Sequence, residues 1–268
     1  GACNPQTPTS SPTTPLDTSY PISGSSSSTD VTYPVETPTA EPTASPTSTP
    51  TTPTPSVGLP IYSLHMFADG SGWAFNSYQT ALYHTTNGGL SWFTVYPSSG
   101  GTLEAGSVDG FFLDGSTAWL SLSDYATETS SILHTTDSGA SWSETPLTFL
   151  GGTLFFLDSN TGFMLSRLGA GAGSEWVAVY ATNDAGQIWE QRFTHTPGGE
   201  EPSLPAGGIK SGFAFLDPLN GWITGSEPVN DFVYLYRTTD GGTIWAHQPC
   251  DIADADPDAM YNSFPPIF

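Results

Sequence analysis

The sequence predicts an all-β domain of four repeats, each with four antiparallel strands, preceded by an extended or disordered Pro/Thr/Ser-rich segment. Three observations carry this reading. An eight-residue motif, Thr-x-(Asp/Asn)-x-Gly-x-(Ser/Ile)-Trp, occurs four times, with its tryptophans 50, 47 and 56 residues apart. A second short motif precedes each copy. No stretch places apolar residues at helical spacing, whereas short alternating runs bounded by Gly, Asn and Asp recur, as strands and turns require.

Residues 1–57 come first. The chain opens Gly1-Ala2-Cys3, and these residues resemble the end of a bacterial lipoprotein signal, which implies lipidation of Cys3. The alternatives are a free thiol or a disulfide with Cys250, the only other cysteine. Thirteen of the 24 prolines then lie before residue 61, among Ser and Thr, with little that is apolar to bury. Proline fixes φ and removes backbone donors, so this segment is expected to be an extended stalk of up to ~160 Å or a disordered leader, and a substrate for O-glycosylation. Both readings place the chain outside the cytoplasm, as a secreted protein or bacterial surface lipoprotein.

Residues 58–250 carry the repeats. Each begins with an aromatic-x-Asp turn leading to a small residue and a second aromatic: Phe67 and Asp69 before Gly72-Trp73, then Phe112 and Asp114 before Ala118-Trp119. Phe156 and Asp158 precede Gly162-Phe163, and Phe215 and Asp217 precede Gly221-Trp222. This is two short strands and a turn, with the four aspartates as turn caps. Apolar runs such as Val177-Ala178-Val179-Tyr180 form third strands. The eight-residue boxes follow, with Asn87, Gly89 and Trp92 in the first, and Asp137, Gly139 and Trp142 in the second. Asp184, Gly186 and Trp189 make the third, Asp240, Gly242 and Trp245 the fourth, and a fourth strand starts at each tryptophan. In this pattern the Asp or Asn accepts turn amides, the Gly adopts positive φ, and the Trp folds under the turn to seal the hairpin between repeats.

Four strands in ~47 residues is a propeller blade. On both motifs the region from residue 61 to 249 resembles the BNR/Asp-box β-propellers, including proteins similar to photosystem II stability/assembly factors and sortilin-type propellers. The resemblance implies that the boxes lie on the outer rim, away from the central channel where such proteins usually bind ligands. Four boxes leave ring closure open. Residues 251–268 are an acidic linker followed by Asn262–Phe268 as a truncated or closing strand. A four-blade ring, a fragment of a larger one, and an arc completed by another chain all remain compatible with the sequence.

The chemistry is bounded by charge and count. A formal charge of −22, from 26 acids against 4 bases, repels nucleic acid and anionic membrane surfaces. No apolar run reaches the ~20 residues of a membrane-spanning helix. Sialidases share the Asp-box but need three clustered arginines, and Arg167, Arg192 and Arg237 are scattered here. His84 and His134 fall at equivalent positions on separate blades and are expected to be exposed strand residues rather than metal ligands. Asp254, Asp256 and Asp258 are a weak calcium-loop candidate without the Gly and Glu that such a loop needs. No cofactor is expected. The function these residues favour is a non-catalytic surface protein whose propeller recognises a protein or glycan. A structural subunit of an extracellular assembly, self-associating through strand edges or terminal segments, is the alternative, and a sialidase-like glycosidase ranks behind both.

Overall fold

The repeats fold as blades because each strand is short, apolar on alternate positions and closed by a tight turn. The computed structural model describes residues 61–76, 79–96, 107–124, 127–195, 203–227, 229, 232–250 and 259–267, and the backbone of 55–56. Cys3, most of residues 1–57 and the Asp254, Asp256, Asp258 run lie outside the described residues. All described residues belong to one unit, Thr49–Phe268. They are strand and loop throughout, with no helix long and apolar enough to cross a membrane.

Blade 1 contains β1 (Pro55–Ser56), β2 (Ile61–Met66), β3 (Gly72–Asn76), β4 (Leu82–Thr85) and β5 (Trp92–Tyr96), in sheet order β1-β5-β4-β3-β2. Blade 2 is β6 (Ser107–Phe112), β7 (Ala118–Asp124), β8 (Thr129–Thr135) and β9 (Ser143–Leu147). Blade 3 is β10 (Gly152–Phe156), β11 (Gly162–Gly171), β12 (Ser174–Thr182) and β13 (Glu190–Thr194). Blade 4 is β14 (Ile209–Phe215), β15 (Gly221–Ser226), β16 (Leu235–Thr238) and the two-residue β17 (Ala246–His247). Every pairing in these ladders is antiparallel. The four-strand meander predicted for each repeat is therefore present, and β1 adds an extra outer strand to blade 1.

Three apolar cores join consecutive blades. Trp73, Phe75 and Leu82 meet Val108, Leu120 and Leu133 between blades 1 and 2. Trp119 and Ile132 meet Leu154, Phe156 and Met164 between blades 2 and 3. Phe163, Leu165 and Val179 meet Phe213, Phe215 and Trp245 between blades 3 and 4. Among the described residues no core joins blade 4 back to blade 1. Each blade thus has a trailing face, toward the next blade, and a leading face, toward the one before. The segment expected as a closing strand forms one bridge, Asn262 to Ser226, rather than a ladder.

The boxes lock the turn between third and fourth strands. Asn87 accepts the Ser91 N–H at 3.0 Å, Asp137 that of Ser141 at 2.9 Å, and Asp184 and Asp240 accept those of Ile188 and Ile244 at 2.9 and 3.0 Å. Gly89, Gly139, Gly186 and Gly242 have φ of +82°, +79°, +87° and +93°, as expected for residues free of a Cβ. The indoles of Trp92, Trp189 and Trp245 pack back onto the glycine of their own box. Trp142 instead reaches the preceding blade, donating from Nε1 to the Val95 carbonyl at 3.0 Å. The sequence reading assigned no role to the first Thr. Thr85, Thr135, Thr182 and Thr238 are buried, and each hydroxyl accepts the box Gly N–H, at 3.0–3.2 Å, while donating to the box Asn or Asp.

Two expectations need correction. His84 is buried and His134 half-buried: each ring packs on the tryptophan opposite it, Trp73 or Trp119, and His84 Nε2 lies 2.7 Å from the Gly115 carbonyl. Each ring lies beside the cross-strand tryptophan of its own blade, on the face that the next blade covers, and is thereby drawn out of solvent. The alignment of Phe67 with Phe112, Phe156 and Phe215 is also shifted by one. Phe112, Phe156 and Phe215 pair with Ala118, Gly162 and Gly221, and the residue paired with Gly72 is Met66. All four connections are five residues long, but the Phe-x-Asp motif of blade 1 lies one residue later in its turn, so Met66 holds the ring position of blade 1. The four turn aspartates do cap their turns, each accepting backbone N–H groups at 2.7–2.9 Å.

Candidate binding cleft

The innermost strand of each blade carries the polar groups that neither the boxes nor the cores use. Between β2 and β6 a cleft of about 280 Å³ is lined by Ser63, Leu64, His65, Phe75, Gln79, Val108, Asp109, Gly110 and Phe112. Polar and apolar residues from both blades form its walls, and Asp109 is the only carboxylate among the lining residues. Asp109 sits mid-strand, away from any turn that would solvate it. Desolvation pushes its pKa up to about 6, against hydrogen bonds from the Leu154 N–H and Thr153 and the attraction of Arg167. The carboxyl is therefore mostly ionised at pH 7, where it accepts hydrogen bonds, and becomes a donor as well only as pH falls toward 6. His65 packs its ring beside Phe67 and Phe112, and the desolvation lowers its pKa, which keeps the imidazole neutral at pH 7.

Next to Asp109, an ionic cluster of the buried Glu175 and Lys210 with the exposed Arg167 ties blade 3 to blade 4. Arg167 of β11 pairs with Glu175 of β12 and donates to the Lys210 carbonyl at 3.0 Å. Glu175 accepts the Lys210 N–H at 2.7 Å. Lys210, on β14, is 1% exposed, and its ammonium reaches the carbonyls of Glu175, Pro205, Ala206 and Gly207 at 2.9–3.0 Å, with Gly208 at 3.3 Å. The Tyr234 ring lies 5.1 Å away. Burial pushes the Lys210 pKa down to about 8, opposed by Glu175 and Glu227. Every donor of this lysine is consumed by backbone, so its role is to organise the 205–208 loop.

A larger groove of about 510 Å³ lies along the outer part of blade 4, lined by Arg237, Asp240, Ile244, His247 and neighbours. Its charged groups are already engaged. Arg237 donates to Asn220 and lies 5.3 Å over the Trp222 ring, while Asp240 belongs to a box. The axial cleft, with a perturbed carboxyl and walls from two blades, is the better candidate site.

The three arginines stand on three strands with separate partners: Arg167 with Glu175, Arg192 on β13 with Glu190 at 3.1 Å, and Arg237 with Asn220. Among the described residues no three His, Cys, Asp or Glu side chains gather as metal ligands. Cys250 is exposed. The sequence reading missed Asp109 and Lys210. A charged residue inside a strand that otherwise alternates Val, Phe and Gly was the available signal for both.

Four blades, each locked by Thr, Asp or Asn, Gly and Trp, define an Asp-box (BNR-type) β-propeller. No known protein-family model matches the chain, and no curated protein matches its sequence. Among solved structures, the GH74 enzyme of Niastella koreensis aligns at 17% identity over 72% of this chain and 30% of that one, with a TM-score of 0.48. YCF48 in complex with a peptide aligns at 17% identity over 70% and 82%, TM-score 0.38. The NanB sialidase of Streptococcus pneumoniae aligns at 16% identity over 64% and 29%, TM-score 0.32. The chain thus spans under a third of the length of those two enzymes. Likeness at this level says nothing of activity, and the class rests on the chain's own repeats.

Proposed function

We propose that the chain is a non-catalytic binding module whose axial cleft recognises an uncharged polar segment of a protein or glycan. The carrying observation is the Asp109 carboxyl of raised pKa, on the strand that borders the cleft between blades 1 and 2, its side chain held by Leu154 and Thr153 of blade 3. Such a group accepts hydrogen bonds from amides or hydroxyls, whereas the net charge repels anionic ligands. The lone carboxylate in the cleft also favours binding over glycoside cleavage, which uses two carboxylates about 5–9 Å apart. A stalk built from residues 1–57, lipidated through Cys3, would present this cleft at an outer cell surface. Parallel glycan-array and peptide-display screens of the protein and its Asp109→Ala variant test the reading. A ligand class retained by the parent and lost by the variant supports it. Equal retention by both, or turnover of a sialoside or β-glucan, overturns it.

A further inference from the structure

The three blade junctions follow one rule, and the rule marks the two ends of the array. At each junction a first-strand ring on the leading face stacks against a second-strand ring on the trailing face of the blade before. Phe112 lies on Trp73 at 5.5 Å, Phe156 on Trp119 at 3.8 Å, and Phe215 on Phe163 at 3.5 Å, with interplanar angles of 9° or less. Two residues earlier in β10 and β14, Leu154 and Phe213 continue the row. These four residues of blades 3 and 4 are 1–4% exposed.

In blade 1 the same row is Met66 and Leu64, paired with Gly72 and Ala74. They are 38% and 58% exposed, and the neighbouring Tyr62 is 71% exposed. This leading face has the apolar character of an internal junction without a described blade against it.

The other end is built differently. The trailing face of blade 4 is more polar, with Thr224 and Arg237 where blade 1 has Phe75 and His84. The chain's own residues 259–267 lie across it. Ser263 donates its N–H to the Gly225 carbonyl at 2.9 Å, and its hydroxyl donates to the Tyr234 carbonyl and accepts the Gly225 N–H. Ser211 donates its hydroxyl to the Ser263 carbonyl, and Pro265 packs over Gly212. Ser263 and Pro265 thus face the blade, while Met260, Phe264 and Ile267 are 65%, 76% and 99% exposed. The segment gives a polar blade end an apolar outer surface.

We propose that a second copy of the chain covers these ends, the Leu64–Met66 face of one copy receiving the Met260/Phe264/Ile267 surface of the other. The leading-face row has apolar side chains that elsewhere in this chain are covered by the blade before, and the capped trailing end of blade 4 in a second copy presents apolar side chains to cover it. Because the two surfaces differ, the contact is heterologous: two copies close on each other, or the contact repeats into a longer assembly.

The test is the mass of the full chain in solution by sedimentation and light scattering, from submicromolar to high micromolar concentration. The expected result is a species of at least two 28.2 kDa chains. Leu64→Asp and Phe264→Asp, both at exposed positions, are each expected to raise the half-dissociation concentration more than about tenfold. Circular dichroism melts verify that the variants fold, and Leu64→Gln and Phe264→Ser replace any that does not. An equimolar mixture of the two variants is expected to form a pair of two chains, because each contributes one intact end. A wild-type protein that stays monomeric throughout overturns the proposal, as would coverage of the face by another occupant. A Phe264 variant that associates like wild type, or a mixture that remains monomeric, also overturns it.

Discussion

Replacing Asp109 by Asn tests whether the axial cleft holds a destabilised carboxyl. The folded pKa is raised from 3.8 to about 6, roughly 2 units, which at about 1.36 kcal/mol per unit corresponds to ~3 kcal/mol. Partial exposure of the side chain to solvent discounts this to about 1–2 kcal/mol. The sign follows from proton linkage. Between pH 4 and 6 the folded state holds the proton more tightly than the unfolded chain, so this group's favourable contribution is complete below about pH 4 and lost as pH rises through 6. Asn mimics the protonated carboxyl and carries no such dependence. Urea unfolding of both proteins from pH 4 to 8 reads the effect directly. The variant is expected to match wild type near pH 4 and to exceed it by about 1–2 kcal/mol at pH 7. Using the difference between the two proteins cancels the titration of the many other carboxylates. A variant less stable than wild type by the same amount at every pH would refute the reasoning, because it would mean that Asp109 is fully ionised and held by Arg167.

Other substitutions test the framework around the cleft. Lys210→Met leaves several carbonyls of the 205–208 loop and Glu175 without a donor, and is expected to cost about 3–5 kcal/mol in urea unfolding. Thr135→Val removes the hydroxyl that links Asp137 and the Gly139 N–H, with an expected loss of about 1–3 kcal/mol read the same way. Gly186→Ala places a Cβ at φ +87° and 3.4 Å from Trp189, for an expected loss of about 1–2 kcal/mol and a lowered Tm in differential scanning calorimetry. Hydrogen bonds from Ile244, Thr238 and Thr243 hold the Asp240 pKa below 3.8 despite the opposing desolvation, so its contribution is present above that value and lost as pH falls further. Asp240→Asn is therefore expected to flatten the stability loss below about pH 4 in acid titrations followed by tryptophan fluorescence.

The fold was largely legible because turn chemistry is local. A box needs a carboxylate or amide facing the turn, a residue at positive φ two positions on, and an indole three further, all within eight residues. Nothing distant interferes with those demands, so Asn87, Gly139 or Trp245 is readable in isolation. The Met66 register was not legible by the same logic. The aromatic-x-Asp pattern aligned Phe67 by its turn aspartate, whereas strand pairing aligns by the small residue opposite, Gly72. A turn aspartate placed one residue later in blade 1 separates the two rules, and only the ladder shows which prevails. The histidines were misread for a related cause. Strand alternation assigns His84 to a face, and whether that face meets solvent or the next blade depends on contacts across 31 residues, such as that to Gly115.

The candidate site was scarcely legible, for a physical reason that also divides the molecule's labour. Asp109, Arg167, Glu175 and Lys210 lie on strands of three different blades, and no short spacing relates them. They meet because neighbouring blades stack side by side, a property of the array rather than of any repeat. The boxes, by contrast, spend their polar groups within their own turns. A motif satisfied locally can recur in every blade without limiting what the axis carries, so the inner strands are free to differ. Where blade 2 places Asp109, blades 1, 3 and 4 place Ser63, Thr153 and Gly212. Transplanting the β6 run Ser107–Phe112 should therefore carry the titration near pH 6 with it only if blade 3 still supplies Leu154, Thr153 and Arg167. A chimera whose blade 3 inner strands come from another Asp-box protein, with β6 intact, is expected to return Asp109 to a different pKa by NMR titration. An unchanged value would show that the blade, rather than the junction, is the unit in which this site is built.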